Sequence, residues 1–230
     1  KEKGNSAFDL WMYLQNNIAN EASAFGDLET AKIIYQKVLD ELLSINSVSV
    51  NDGIATLNNN LAGIAIKQRN FDAAIVYLKT ALGIRESSGD FHRAAAIYLN
   101  ISELAKIQRQ FSEARDYCQR ALKIYQDIKD LYKLADVYFK LAEIEREQLQ
   151  YEKAIIYSTE AAKIYEHFGD FHQAASAYHE IGNIKHLQGQ DEESTKYYHK
   201  ALKIYEDAKD WNNAADEYIQ LGSIATAQYK

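Results

Sequence analysis

Asparagine side chains recur through the first hundred residues of this chain, and their chemistry suits them to bind another molecule. Asn17, Asn60 and Asn100 stand roughly forty residues apart. An amide side chain both donates and accepts hydrogen bonds, so it can bond to a peptide C=O and N–H at once. Each such bond contributes about 0.5–1.5 kcal/mol, so three fall short of the roughly 8 kcal/mol of micromolar binding. The series therefore predicts a clamp on an extended peptide backbone, with side-chain pockets supplying the remaining affinity.

A second group of candidates is charged, and five of its members have the i+3, i+4 and i+7 spacing of one helix: Asp136, Lys140, Glu143, Arg146 and Glu147. At that spacing the side chains can pair with one another along the helix. The alternative is that Lys140 and Arg146 await acidic groups on a ligand. In that case Glu103, Asp136 and Glu143 await basic ones.

Three histidines recur every seven residues, at His172, His179 and His186. Seven residues of helix rise about 10.5 Å, whereas all ligands of one zinc ion lie about 2 Å from it. These histidines therefore cannot share a metal ion without help from another chain. We expect His179 and His186 to face a ligand or solvent, and we expect neither a metal nor a cofactor.

The sequence contains no motif of a known catalytic site. It has no Gly-rich phosphate loop, no H-E-x-x-H, no paired cysteines and no G-x-S-x-G elbow. The single cysteine, Cys118, falls at an apolar helical position, which predicts a buried small side chain instead of a nucleophile. We therefore expect a protein that is not an enzyme.

Composition narrows the partners and the compartment. The 26 Lys and Arg against 33 Asp and Glu give a net charge of −7, which disfavours binding to nucleic acid or to anionic membranes. No stretch approaches the roughly 20 apolar residues of a membrane span, and the N-terminus lacks an apolar signal core. One cysteine cannot form an internal disulfide, which fits a reducing compartment. We expect a cytoplasmic protein and, because the chain begins with Lys1, a segment of a longer one.

The elements that must position these candidates repeat every 40 residues. ALKIYQDIKD, AAKIYEHFGD and ALKIYEDAKD begin at Ala121, Ala161 and Ala201. Within residues 91–130, apolar residues follow i, i+3, i+4, i+7 spacing twice, which predicts a hairpin of two helices. The same pattern gives about eleven helices in blocks at about 8–50, 51–90, 91–130, 131–170 and 171–210, with half a block at 211–230.

Turn residues mark the helix ends. Polar breaks divide each block at Arg69-Asn70, Arg109-Gln110, Leu149-Gln150 and Gly189-Gln190. Each break between blocks ends in an aspartate that we predict to cap the next helix: Asp90, Asp130, Asp170 and Asp210. Gly89 and Gly169 suit the left-handed residue that closes a helix. Most of the 17 tyrosines are predicted to wedge between helices with the hydroxyl at the edge.

These blocks resemble the tetratricopeptide repeat in its longer, 40-residue form, over essentially the whole chain. The family's aromatic, Leu and Gly stand at Tyr218, Leu221 and Gly222, and its two alanines of the second helix stand at Ala114 and Ala121. The proline that usually ends the second helix is absent throughout. The block at 171–210 also departs from the pattern, with Asp191 in place of an aromatic and Ser194 in place of alanine. We expect its second helix to pack less firmly.

The resemblance implies an all-α fold: a right-handed superhelical solenoid of antiparallel helix hairpins, with about 5.5 repeats and 11 helices, forming one domain over residues 1–230. It also implies a concave groove, lined by the first helix of each hairpin, where related proteins hold an extended peptide or a helix of a partner. The candidates then face this groove: Asn16, Asn17, Asn20, Asn59, Asn60, Asn100, Glu103, Phe139, Lys140, Glu143, His179 and Asn183. For the asparagines the alternative is a role in folding or solubility, because asparagine is the family's commonest residue there.

Three functions remain open from the sequence. The first is a non-catalytic protein–protein interaction module that binds a peptide or a protein partner in the groove. The second is a sensing domain of a regulator, in which a small peptide or another effector controls an attached domain. The third is self-assembly through residues 211–230, because four apolar side chains there lack a following helix: Tyr218, Leu221, Ile224 and Tyr229.

Overall fold

The computed structural model describes residues 2–45 and 47–228, and its helices follow the 40-residue period of the sequence. Within these ranges there are eleven α-helices, one short 3-10 helix at Val48–Val50 and no strand. The helices are α1 (Glu2–Ala24), α2 (Leu28–Ile45), α3 (Asn51–Lys67), α4 (Phe71–Ser87), α5 (Phe91–Ile107), α6 (Phe111–Asp127), α7 (Leu131–Glu147), α8 (Tyr151–His167), α9 (Phe171–Leu187), α10 (Asp191–Asp207) and α11 (Trp211–Gln228). The odd-numbered members are the first helices of the hairpins and the even-numbered ones are the second helices.

The turns lie where the sequence places them. From α3 onward, three residues separate consecutive helices, and one of the three has a positive φ. Gly89 and Gly169 adopt this conformation with φ of 73° and 74°, as predicted. Lysine takes the same place at Lys129 and Lys209, with φ of 59° and 57°. After each of these residues, the next N–H bonds back to a carbonyl five residues earlier, as in Asp130 to Tyr125, which satisfies the end of the helix.

The four predicted aspartate caps are confirmed. In each, the carboxylate Oδ1 accepts a hydrogen bond from the backbone N–H three residues later, at donor–acceptor distances of 3.1–3.3 Å for Asp90, Asp130, Asp170 and Asp210. The caps satisfy amides that would otherwise lack a partner at the helix start. They fix where the first helices α5, α7, α9 and α11 begin, and so they set the register of the side chains on those helices.

The chain divides into two compact units, the first ending at Leu104 and the second beginning at Ala105, within α5. In the first unit, α2 packs against α1 and α3, and α3 packs against α4. The core combines the fully buried alanines Ala19 and Ala31 with larger side chains such as Tyr35 and Leu42. Small residues at these positions let neighbouring helices approach closely.

In the second unit, each helix from α6 to α11 packs against the next along the chain. Its core again alternates small and large side chains, with Ala161, Ala174 and Ala201 fully buried around Tyr165 and Tyr178. Each of the first helices α7, α9 and α11 therefore packs against one or two second helices. The prediction that a single domain spans residues 1–230 stays a prediction.

Several tyrosines behave as the sequence predicts, with a buried ring and a hydroxyl bonded at the edge. Tyr178 is 6% exposed, and its hydroxyl donates to Glu166 Oε1 at 2.6 Å. Tyr165 is 2% exposed, and its hydroxyl donates to Asp136 Oδ1 at 2.7 Å. Each ring therefore supplies apolar burial while its polar end fixes a neighbouring carboxylate.

The expectation of loose packing in the second helix of block 171–210 is wrong. Ser194 is fully buried, and its hydroxyl donates to the backbone oxygen of Gly182 at 2.8 Å. A Cβ atom on Gly182 would lie 2.8 Å from the ring of Tyr198, so α9 and α10 approach each other as closely as glycine allows. The serine keeps the helix in place because its hydroxyl finds a partner inside the core.

Within residues 2–45 and 47–228, no helix combines the length and the apolar character needed to cross a bilayer.

Candidate functional site

In the first unit, the predicted asparagines join successive first helices in pairs. Asn60 Nδ2 on α3 donates to Asn16 Oδ1 on α1 at 3.0 Å. Asn100 Nδ2 on α5 donates to Asn59 Oδ1 on α3 at 3.4 Å. Each donor amide keeps an oxygen and a second N–H that bond to no other described residue, so a ligand can still bond to it. Asn17 is half-buried on α1, and its side chain makes no hydrogen bond to another described residue.

Two other predicted asparagines are held by tyrosines of the second helix in the same hairpin. The hydroxyl of Tyr35 donates to Asn20 Oδ1 at 2.5 Å, and the hydroxyl of Tyr198 donates to Asn183 Oδ1 at 2.7 Å. The tyrosine occupies an acceptor site on the amide oxygen, so that bond leaves both N–H groups of the amide for other partners. Asn20 and Asn183 are therefore set up as hydrogen-bond donors.

Asn59 and Asn100 also line a cavity of about 290 Å³ in the first unit, beside Arg85 and Arg93. Both guanidinium groups bond to the carboxylate of Asp52, Arg93 at 2.7 Å. The hydrogen bond from Arg85 lowers the pKa of Asp52, and so the carboxylate stays ionised. Asp90 pairs with both arginines too, so the charges at this cavity balance. Glu103 is half-buried further along α5.

In the second unit, four predicted residues meet at one cavity of about 290 Å³: Phe139, Glu143, His179 and Asn183. We call it the acidic pocket, and its other lining residues are Ser176, Glu180, Tyr205, Asn213, Asp216 and Glu217. The side chains come from α7, α9 and α11, with Tyr205 from α10. Lys140 is half-buried on α7 and is not among the lining residues.

Ion pairs around the acidic pocket run from one first helix to the next. Lys106 on α5 lies 2.7 Å from Glu143 on α7, and Arg146 on α7 lies 2.5 Å from Glu180 on α9. Of the pairing predicted along α7 itself, the structure shows an ion pair between Arg146 and Glu147, at 3.4 Å. Glu143 also pairs across helices, with Lys106 of α5, which spacing along α7 does not predict.

The third pair of this kind joins His179 on α9 to Glu217 on α11, with 2.7 Å between Nδ1 and Oε1. Burial lowers the pKa of His179, but the bond to Glu217 and the nearby carboxylates outweigh it, so that the pKa is raised overall. Burial also raises the pKa of Glu180, against the pull of Arg146. Glu180 and Glu217 are 6% and 1% exposed, and at such low exposure electrostatic interactions are strong.

Glu217 is the functional candidate that the sequence prediction missed. It is 1% exposed, and its Oε2 is buried without a hydrogen-bond partner among the described residues. Aligned on the 40-residue period, its position is held in the other blocks by Leu57, Ile97, Val137 and Ala177. The sequence signal that could have identified Glu217 is a glutamate at a position that is apolar in the other blocks.

The remaining candidates are two histidines and the cysteine, and each has its own surroundings. His172 bonds to Asp210 at 3.0 Å and His186 to Asp191 at 2.8 Å, so each of these histidines has its own carboxylate. Across the part of the chain that the structure describes, no group of three His, Cys, Asp or Glu side chains could hold a metal ion. Cys118 is fully buried, as predicted.

The apolar side chains of α11 are not exposed as a set. Ile224 is 3% exposed, which corrects the expectation that it lacks a packing partner, and Leu221 is half-buried. Tyr218 is 55% exposed, as expected. Tyr229 lies outside the described residues.

Comparison with known proteins finds a matching family and similar solved structures. The model of the tetratricopeptide repeat matches residues 53–127, 93–167 and 133–207. No curated protein sequence matches the chain. Similar solved structures include the apo form of RapI, with a TM-score of 0.83 at 14% identity, covering 93% of this chain and 77% of that one.

Two further structures are similar over most of this chain. One is a signal transduction ATPase with numerous domains from Pyrococcus horikoshii, which has a tetratricopeptide repeat sensor; its TM-score is 0.77 at 21% identity, covering 91% of this chain and 32% of that one. The other is the Rap conjugation regulator of plasmid pLS20 in complex with the Phr* peptide, with a TM-score of 0.72 at 17% identity, covering 95% of this chain and 60% of that one. At such identities the likeness shows the fold alone.

The family matches overlap and together extend over residues 53–207, which is more than half of the 230 residues. They coincide with the helix hairpins and with the period of the caps and turns. The chain belongs to the tetratricopeptide repeat family.

Proposed function

We propose that this protein is a non-catalytic interaction module that binds an extended peptide segment of a partner protein on its first helices. The observation that carries the proposal is the acidic pocket, where Phe139, Glu143, His179 and Asn183 line one cavity. All four were predicted from the repeat to face a ligand. A cavity of about 290 Å³ suits one side chain, because sites for whole small molecules span about 300–1,000 Å³.

The amides of the first unit form a separate candidate surface for peptide binding. Asn60 and Asn100 each keep a donor and an acceptor beyond the bond that fixes them. A peptide backbone offers both kinds of partner at every residue, so these amides can bind it without reading its sequence. The acidic pocket of the second unit is, by itself, the candidate for selecting a particular side chain.

A similar structure supports a peptide as the ligand. The pLS20 regulator, which shares the fold at 17% identity, was solved in complex with the Phr* peptide. A chain of this architecture can therefore hold a peptide. Which peptide this protein binds is a separate question.

The proposal is tested by selection from a random peptide library displayed on phage, followed by fluorescence anisotropy on the enriched peptides. The double variant Asn60→Ala/Asn100→Ala is expected to weaken their binding about tenfold, since it removes two hydrogen bonds of about 0.5–1.5 kcal/mol each. The matched control is Gln119→Ala/Gln126→Ala, which removes two exposed amides from α6. Equal affinities for the two variants would remove the amides from the proposal, and no enrichment over bare matrix would overturn peptide binding.

A second candidate is a sensing domain of a regulator, which the similar structures favour. Two of them are a tetratricopeptide repeat sensor and a conjugation gene regulator. In that case binding of an enriched peptide must change the conformation of the chain. Small-angle scattering would then show a shift in the radius of gyration on adding the peptide. An unchanged radius at saturation would exclude the sensing function and be consistent with binding without a conformational change.

A further inference from the structure

Glu217 has an oxygen that the protein itself does not use. Its Oε1 accepts a hydrogen bond from His179, while Oε2 is buried without a partner among the described residues. A buried carboxylate oxygen without a hydrogen bond is costly, since an ionised group loses its hydration there. On a residue that lines a cavity, such an atom is a candidate partner for a donor from outside the chain.

The charges around the acidic pocket show what kind of donor this is. Four acidic side chains line it: Glu143, Glu180, Asp216 and Glu217. Lys106 neutralises Glu143 and Arg146 neutralises Glu180. When His179 is protonated, it neutralises one more. At least one negative charge therefore remains at the pocket, and a neutral donor would leave it unbalanced.

The walls of the pocket suit the flat or extended end of a basic side chain. Phe139 and Tyr205 contribute aromatic surface, over which cations are attracted by the ring quadrupole. Asn183 and Ser176 add uncharged polar groups that can bond to further N–H groups or to the adjoining backbone. The combination of a carboxylate with aromatic walls is more specific for a guanidinium or ammonium group than an acidic surface alone.

We propose that the acidic pocket binds the basic side chain of a peptide, arginine or lysine, whose N–H donates to Glu217 Oε2. This rests on the proposed peptide-binding function and deepens it by naming the residue that the pocket selects. Because Oε2 is closed off from solvent, the basic group must displace a neighbouring side chain to reach it. In this proposal His179 is the side chain that moves aside, because 28% of it is exposed and it is bonded to the same carboxylate.

The experiment titrates two blocked tripeptides, acetyl-Gly-Arg-Gly-amide and its citrulline analogue, into the isotopically labelled protein and follows backbone amides by NMR. Citrulline keeps the shape of arginine and lacks its charge. The arginine peptide is expected to shift resonances of α9 and α11 around the pocket and to bind at least tenfold more tightly than the citrulline peptide. Equal binding of the two would overturn the proposal.

Variants inside and outside the acidic pocket test where the arginine peptide binds. Glu217→Gln and, at the exposed rim, Asp216→Asn are each expected to weaken binding of the arginine peptide, the first by tenfold or more. Asp216→Asn keeps the test valid if Glu217→Gln fails to fold. The matched control is Asp207→Asn, the same charge change at an exposed position of α10 in the same unit. A loss of affinity in the control as large as in the pocket variants would reduce the effect to net charge and overturn the site.

Two further arms separate this inference from the proposed function. Methylguanidinium that binds as tightly as the tripeptide would show a site for a small cation instead of a peptide side chain. Library peptides that bind the wild type and Glu217→Gln equally would keep peptide binding and overturn the selection of a basic residue.

Discussion

Buried charges occur in this chain at positions where its own repeat elsewhere has uncharged side chains. Arg85 is 4% exposed and occupies the place of Tyr125, Tyr165 and Tyr205 in the later blocks. Its guanidinium bonds to Asp52, to Asp90 and to the hydroxyl of Thr56. Arg85 and Tyr165 each bond to a residue on the first helix of their own hairpin, Thr56 and Asp136 respectively. The arginine also carries a charge, so it needs carboxylates around it.

The first prediction concerns this arginine. Arg85→Ala removes the only buried cation of the Asp52 and Asp90 network in the described first unit and is expected to lower the free energy of unfolding by about 1–3 kcal/mol, because the partly buried Asp90 loses a partner. Arg85→Tyr restores the side chain of the later blocks and should cost less. Urea denaturation measures both. Arg93→Ala is the control, because Arg93 is 59% exposed and a surface pair contributes about 0–1 kcal/mol; a similar loss in all three variants would contradict the prediction.

The second prediction is a pH dependence that originates in the His179–Glu217 pair. The pKa of His179 is raised in the folded protein, so the proton is bound more tightly there than in the unfolded chain. The stability it contributes is complete below the unfolded pKa of about 6.5 and is lost as the pH rises through the higher folded pKa. The groups facing this imidazole are Glu217, Glu180 and Asp216.

Urea midpoints measured from pH 5.5 to pH 9 check this. In His179→Gln, the fall in stability above pH 6.5 should be smaller than in the wild type. His199→Gln, an exposed histidine of α10, serves as the control and should keep the wild-type profile. A profile for His179→Gln that parallels the wild type would place the dependence elsewhere.

At the scale of elements, close contact between helices depends on residues without side chains at particular positions. Gly182 of α9 and Gly222 of α11 occupy equivalent positions of their hairpins. At Gly182 the ring of Tyr198 on α10 occupies the space of a Cβ atom, whereas at Gly222 no atom lies within 4 Å of one. The same residue is thus required by packing in one helix and not in the other.

The third prediction follows from this contrast. Gly182→Ala is expected to lower the free energy of unfolding by about 1–3 kcal/mol, because the rigid ring must shift. Gly222→Ala should raise it by about 0.5–1 kcal/mol through helix propensity alone. Thermal or urea unfolding of the two variants gives the comparison, and a stabilised Gly182→Ala would show that α9 and α10 are not in close contact.

The helices and their ends could be predicted because they depend on local chemistry. Asp130 and Asp170 cap where they were expected, since an aspartate before an apolar period has one favoured role. Lys129 and Lys209 also adopt the left-handed conformation, but lysine gives no sequence signal for it because only glycine prefers that region. There the hairpin geometry decides, against the residue's own preference.

The contents of the site could be predicted only in part. The repeat identified Phe139, Glu143, His179 and Asn183, which line one cavity. The repeat did not identify the ion-pair partners of these residues, because the spacing along one helix does not show which side chains of the next helix lie close to it. Lys106 and Glu180 therefore had to be found in three dimensions. Ser194 was misjudged for a similar reason, since its partner is a backbone oxygen of another helix.

At the scale of the whole molecule, the exposed apolar side chains of α11 raise the question of self-association. Trp211, Tyr218 and Ile219 are 64%, 55% and 64% exposed. Groups of exposed apolar side chains are frequent sites of protein–protein contact. Association through residues 211–230 stays a prediction, and its energetic basis is the burial of these three side chains.

The fourth prediction is that the protein associates reversibly at high concentration and that Tyr218→Ser/Ile219→Ser reduces this. Sedimentation equilibrium over a hundredfold range of concentration measures it. Ile33→Ser/Val76→Ser is the control, because it removes exposed apolar side chains from second helices. A wild-type protein that stays monomeric over the whole range would end this hypothesis.

The hydrogen bonds made by the ends of the second helices bear on how such a chain can change by duplication. Tyr165 bonds to Asp136, and Tyr205 lies 3.1 Å from Ser176, in each case inside one 40-residue block. The pairs Arg146–Glu180 and His179–Glu217 instead join one block to the next. A block copied or moved as a unit would therefore keep these tyrosine hydrogen bonds and break the ion pairs at its borders. Rearrangement of blocks is thus a route to new ligand preferences that leaves the helical framework intact.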